Sequence, residues 1–392
     1  MGTQTLTITQ GNPTADYTAS VKISPSSETF GEDGYTVITA PDPIQQGLYQ
    51  TDYSARADAV FATSANVTTT STIYKLDPDT LAVQKAVVPA FVNGTDGALW
   101  AAYGIGVDDT NGTVWVSQTR QNTVAVYSQD DLSLIKQFPA GTTTHSRDVV
   151  YDPASDQVFV SSASEGSSGD GYISVFNAKT LEKVKDVQTG ARTVFSPVSL
   201  ALDESTDTLY SVSLTTSRLG VLDTKSLNFT TLDLPGLPAG SKASGVAIDE
   251  KTNRVYVASQ NADSLLIADA ATGATVAQVA TGAGALNVAF DPVNRLVYVA
   301  NFGGTTISVA DADGTLVANL RFARPNHVEE DGKGSVFAVN KDTGNTVIKI
   351  TPKPAPQTPV EGSTPTISGS ATVGGTLTAA PGNWTLGATL AY

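Results

Sequence analysis

The stretch Arg295–Gly314 reads "RLVYVANFGGTTISVADADG", and Arg254–Gly273 reads "RVYVASQNADSLLIADAATG". The shared frame is a Val-Tyr-Val-Ala strand, a polar gap, a second apolar strand ending in Asp, and a turn. Searching outward from these two copies recovers five more. The aligned apolar–aromatic pairs are Val60-Phe61, Val114-Trp115, Val158-Phe159, Leu209-Tyr210, Val255-Tyr256, Val297-Tyr298 and Val336-Phe337, spaced 39 to 54 residues apart. An Asp stands six residues before the pair at Asp108, Asp152, Asp203, Asp249 and Asp291. It is displaced to Asp331 in the last copy and missing from the first.

β-Branched and aromatic residues at period two predict strands. "DDTNGTV", "DPASDQV", "DESTDTL", "DEKTNRV" and "DPVNRLV" carry the Asp, Asn, Gly and Pro of tight turns. Four short strands every 40 to 50 residues or so is the period of a propeller blade. One blade cannot bury both faces of its own sheet, so the copies must stack around an axis. The sequence therefore predicts an all-β, seven-bladed β-propeller.

The seventh copy supplies three strands before Pro352, Pro354 and Pro356 stop it. The segment before the first copy, "GYTVITAPDPIQQGLYQ", has the form of a last strand followed by a link into a blade. Tyr35–Thr39 is therefore expected to complete the seventh blade and close the ring. This gives a division into residues 1–34 as an N-terminal extension, 35–353 as the propeller, 354–364 as a Pro-rich linker and 365–392 as a separate C-terminal piece.

Tyr298-Val299-Ala300-Asn301 and Ile307-Ser308-Val309-Ala310-Asp311 resemble the YVTN family of β-propeller repeats, worded close to "LYVANxxxNTVSVID". The resemblance spans about Gly47 to Lys353 and concerns the scaffold. The last stretch, with Pro365-Thr366-Ile367-Ser368-Gly369, Val373-Gly374 and Pro381-Gly382-Asn383-Trp384, resembles the opening of a bacterial immunoglobulin-like repeat cut short at Tyr392. Together these resemblances imply a cell-surface protein that carries its propeller on a stalk, and the Ser/Thr/Gly/Ala-rich, Lys-poor, cysteine-free composition is common in secreted proteins of Gram-positive bacteria.

The 392 residues include no cysteine, which excludes disulfides and thiolate chemistry. A net charge of −15 opposes non-specific binding to nucleic acid or anionic lipid. No apolar run approaches the ~20 residues of a membrane helix. The two histidines and the absence of a G-x-S-x-G elbow speak against a nucleophilic hydrolase. "DADGT" at Asp311–Thr315 reads as a hairpin turn rather than a calcium loop, and "SEGSSGDGY" at Ser164–Tyr172 as a long hairpin in the third blade.

One cluster points to a site. Counting four residues back from the repeat Asp gives Gln50, Gly104, Asp148, Ser199, Gly245, Asn287 and His327, at the channel mouth. Tyr103, His145, Arg147 and Asn326 stand beside them. The candidate ligand-binding residues are thus Tyr103, His145, Arg147, Asp148, Asn287, Asn326 and His327, with both histidines at one mouth. Small-molecule sites form where polar groups converge in a concavity. The expected function is a non-catalytic module, monomeric, that binds a protein, glycan or surface, with no resident metal or cofactor. The alternative is a metal-dependent propeller lactonase using Asp148, Asn287 and Glu329 on a divalent cation in the channel.

Overall fold

A computed structural model describes residues 31–354 except 43, 45, 46, 66–70, 90–101, 164–168, 342 and 343, together with the strands Thr366–Gly369 and Leu377–Ala380. Most of the N-terminal extension, most of the Pro-rich linker and the tip of the third-blade hairpin therefore lie outside the described residues.

The repeat becomes seven four-stranded antiparallel sheets. Six run in chain order from the innermost strand outward. Their inner strands are Leu48–Ser54, Ile105–Asp108, Ser146–Asp152, Pro197–Asp203, Ala243–Asp249 and Ala285–Asp291. The seventh starts with Pro325–Glu330 and takes its outermost strand from the other end of the chain. Tyr35–Thr39 pairs with Val347–Pro352 in the register Tyr35↔Pro352 to Thr39↔Ile348. Each inner strand packs against the next, and the seventh against the first, so the ring closes.

Burial along a blade explains the sequence pattern. The second strand lies between two neighbouring blades, and Ala59–Ser64 is buried at every residue. Such a strand reads as an unbroken apolar run. The outermost strand Val83–Val87 is buried nowhere and carries Gln84 and Lys85 in solvent.

The repeated aromatic is the wedge between blades. Phe61 packs with Ile105, Val114 and Val116 of the second blade. Trp115 meets Val149, Val158 and Val160 of the third. Phe159, Tyr210, Tyr256, Tyr298 and Phe337 do the same, each with the blade that follows, the last with Leu48 and Val60 of the first. Every interface holds one such ring, and all seven are buried.

The repeat Asp closes the first turn of its blade. Asp291 Oδ1 accepts the backbone N–H groups of Val293 (2.9 Å) and Asn294 (3.1 Å), and Asp331 Oδ1 those of Lys333 and Ser335 (both 2.8 Å). In the first blade, which has no such Asp, Ser54 Oγ accepts the Ala57 N–H at 2.8 Å. A hydroxyl does the same capping work as a carboxylate there. The Asp311–Thr315 turn is closed in this way too, with Asp311 Oδ1 accepting Thr315 N–H at 2.8 Å. The last strands, Thr366–Gly369 and Leu377–Ala380, form an antiparallel hairpin of their own. No helix among the described residues is long and apolar enough to cross a membrane.

Candidate functional site

Six of the seven inner strands carry a register break near their N-terminal ends, for example between Ser146 and Val149 and between Pro325 and His327. A β-bulge re-aims side chains and leaves backbone groups unpaired. Gln50, Asp148, Ser199, Gly245, Asn287 and His327 lie at or next to these breaks, and Gly104 directly precedes the unbroken strand Ile105–Asp108.

These side chains form a hydrogen-bonded belt around the channel. Gln50 Oε1 accepts the Ile105 N–H of the second blade at 3.0 Å. Asp148 Oδ2 accepts Leu200 N–H of the fourth blade at 2.8 Å. Ser199 Oγ takes Val246 N–H (3.4 Å), Asn287 Oδ1 takes Val328 N–H (2.9 Å), and His327 Nδ1 takes Thr51 N–H (3.4 Å). Each acceptor reaches the blade that follows its own. Gln50 Nε2 also crosses over the second blade to Asp148 Oδ1 at 3.0 Å. The two glycines stand where a side chain would not fit. A Cβ on Gly104 would lie 1.8 Å from the Arg147 carbonyl oxygen, and one on Gly245 2.7 Å from Asn287 Cα.

The belt separates two cavities. Above it, the mouth is a hollow of about 190 Å³ lined by Tyr49, Gln50, Arg147, Asn287, Asn326 and His327 among others. Below it lies a chamber of about 350 Å³, lined by Asp52, Asp148, Asn287, His327, Glu329 and Glu330 together with apolar side chains.

The structure thus places Arg147, Asn287, Asn326 and His327 in the wall of the mouth. Asn326 Nδ2 donates to the Tyr49 carbonyl at 2.6 Å. Tyr103 stands edge-on to Tyr49 with centroids 4.9 Å apart, and its hydroxyl accepts from Arg120 Nε at 3.3 Å. Asp148 faces the lower chamber, fully engaged in the belt. His145 does not line the hollow. Its backbone N–H donates to Asn122 Oδ1, and its Nε2 lies 2.8 Å from an Arg147 nitrogen. Of the two histidines, only His327 lines the mouth and the chamber.

Three cations gather around the mouth. Arg147 donates to the Tyr49 hydroxyl at 3.1 Å and its guanidinium carbon lies 5.9 Å from the Tyr103 ring centre. Lys341 Nζ lies 4.3 Å from the Tyr49 ring centre, and the Arg324 guanidinium 4.9 Å from that of Phe302. Burial first, then the charges of Arg147 and Arg324, pull the Lys341 ammonium down to about 8. Among the described residues, no carboxylate lies within ion-pair distance of Arg147, Arg324 or Lys341.

The lower chamber has the opposite character. Two residues further along the inner strands from the belt stand Asp52, Gly106, Val150, Ala201, Ala247, Ala289 and Glu329. Burial lifts the Asp52 carboxyl to about 7, with Asp109 and Asp148 adding to the rise, although Tyr53 and Val107 N–H groups both donate to it at 2.7 Å. Burial raises Asp148 to about 6, and raises Glu329 well above the usual carboxylate range with the help of Asp52, Glu330 and Asp148. His327, buried, is pushed down to about 3 and stays neutral.

The lactonase alternative would need a divalent cation on Asp148, Asn287 and Glu329. The donor set does not fit one. The Asp148 and Asn287 oxygens are committed to the belt, leaving Glu329 alone. Among the described residues, no group of three or more acidic or histidine side chains is arranged to hold a metal.

The sequence matches no family model, and no curated relative is found. Solved structures of similar shape exist. A hydrazine synthase chain from Kuenenia stuttgartiensis superposes with a TM-score of 0.63 at 14% identity, over 79% of this chain and 97% of that one. A catalytically inactive virginiamycin B lyase from Staphylococcus aureus, solved with quinupristin, superposes with a TM-score of 0.63 at 11% identity, over 81% of this chain and 99% of that one. At such identities the similarity concerns the fold alone, and the fold it supports is the seven-bladed β-propeller.

Proposed function

We propose that this chain is a non-catalytic binding propeller at the cell surface that holds an anionic group of a protein or glycan partner on the rim of its channel mouth. The observation behind this reading is the trio Arg147, Arg324 and Lys341. On a chain of net charge −15, these cations converge over aromatic faces with no carboxylate to neutralise them among the described residues. Cations over aromatic rings are partly desolvated, and an anion placed among them gains charge-assisted hydrogen bonds. The YVTN resemblance and the reading of the C-terminal hairpin as the start of an immunoglobulin-like stalk support an extracellular setting. The metal-hydrolase alternative is weakened by the belt, which occupies the oxygens it would need.

The test is binding to an array of neutral, carboxylated and sulfated glycans, followed by the variant R147Q/K341Q. The expected result is selective capture of anionic glycans, weakened at least tenfold by the double substitution and falling with added salt. Equal binding by the double variant, or retention of neutral glycans only, would overturn the reading.

A further inference from the structure

The lower chamber is unrelated to the mouth in its chemistry. Its wall carries Asp52, Asp148, Glu204, Glu329 and Glu330, and no cationic side chain lines it. Both oxygens of Asp52 and of Asp148 have partners already, and Glu330 accepts Gly332 N–H. Glu204 is exposed to solvent, whereas Glu329 is confined. Among the described residues its carboxylate makes no hydrogen bond, and its side chain is 36% exposed to the confined chamber.

The second observation is His327, whose side chain is only 8% exposed. Its Nδ1 accepts the Thr51 N–H, so its Nε2 carries the proton. That nitrogen lies 4.0 Å from Glu329 Oε2, too far to bond, and both residues line the chamber. A histidine N–H and a carboxylate that do not bond each other thus line the same space. Ala201, Ala247 and Ala289 add small apolar side chains to the same wall.

We propose that this chamber binds a small primary amine that carries an oxygen on the adjacent carbon, the arrangement of a 1,2-amino alcohol. The ammonium donates to Glu329. The neighbouring oxygen accepts from His327 Nε2–H. The carbons lie against the alanine wall. A gap of 4.0 Å suits two ligand atoms, each about 3 Å from its partner. A bare divalent cation needs several oxygens converging on one point, and among the described residues no group of three or more acidic or histidine side chains is arranged to hold one.

The groups facing Glu329 are Asp52 and Asp148 from the first and third blades, Glu204 from the turn of the fourth, and His327 and Glu330 from its own strand. Burial first, and then the neighbouring carboxylates, favour the protonated form of Glu329. Binding therefore displaces that proton and strengthens as pH rises.

Calorimetry on the full chain with ethanolamine tests this, with propylamine and calcium chloride as comparison probes, at pH 6 and pH 8. The expected result is that ethanolamine binds more tightly at pH 8, propylamine at least tenfold more weakly, and E329Q loses at least tenfold in ethanolamine affinity. In H327L the preference for ethanolamine over propylamine disappears. If H327L does not fold, the propylamine comparison and E329Q decide alone. Unchanged binding by E329Q would mean that the amine sits on the acidic outer surface, and would overturn the proposal. So would preferential binding of calcium, or the absence of any ethanolamine binding by the parent chain. Variants at Arg147 and Lys341 leave these results unchanged, which separates this site from the mouth.

Discussion

Polar residues that look like ligand contacts in the sequence turn out to be stitches between blades. Asn287 is the clearest case, because its Oδ1 is the acceptor for Val328 N–H at 2.9 Å. Replacing it with Ala strands that donor in a buried position, and the expected cost is about 1–3 kcal/mol, read as a shift in denaturant midpoint at unchanged slope. Unchanged stability would mean that water takes over the bond. The belt was not legible in the sequence. Position in the repeat predicted that these residues face the channel, but which backbone N–H each would meet depends on the bulges and on the neighbouring blade. Arg324 and Lys341 escaped notice for a related reason: Arg324 directly precedes the strand Pro325–Glu330 and Lys341 directly follows Val336–Asn340, and only pairing of those strands brings the two together. The pair Asp52 and Glu329 did leave a trace. They are the only charged members of a series otherwise made of Gly, Ala and Val, two residues beyond the belt.

At the scale of elements, the strands, the turns and the closing strand were all readable. Period-two apolar runs and Asp-initiated turns are local signals, and the missing fourth strand of the last copy required a partner from elsewhere. Ser54 hid the first turn because the capping group there is a hydroxyl. The closing strand Tyr35–Thr39 covers the edge of Val347–Pro352, and an uncovered edge is a template for pairing with other chains. A chain lacking residues 1–39 is expected to melt at a lower temperature and to self-associate, measured by scanning calorimetry and light scattering. A monodisperse product with the parent melting temperature would contradict this role.

Across the whole molecule, the carboxylates of the lower chamber and the cationic rim of the mouth lie on opposite sides of the belt. Buried carboxyls make stability depend on pH. Asp52 and Glu329 have native pKa values raised above their ordinary ones, so the native state binds more protons than the unfolded chain. Their contribution is complete below the unfolded values of about 4 and is lost as pH rises through the native ones. His327 acts in the other direction, contributing above its ordinary 6.5 and losing that contribution as pH falls toward 3. E329Q removes one titrating carboxyl without removing a hydrogen bond. Its melting temperature relative to the parent chain is expected to rise by about 2 °C between pH 4 and pH 8. A constant difference across that range would show that Glu329 does not titrate there.

Ring closure also decides how the molecule responds to being pulled. Tyr35 is paired with Pro352, and Lys353 N–H donates to the Gly34 carbonyl at 2.8 Å, so the chain enters and leaves the propeller side by side. Tension between the two ends would therefore not shear the last blade. It would open the seam like a zip, parting one backbone pair after another from Tyr35 toward Thr39. A propeller held from its C-terminal side alone carries no load across that seam, whereas one gripped at both ends yields first at its own clasp.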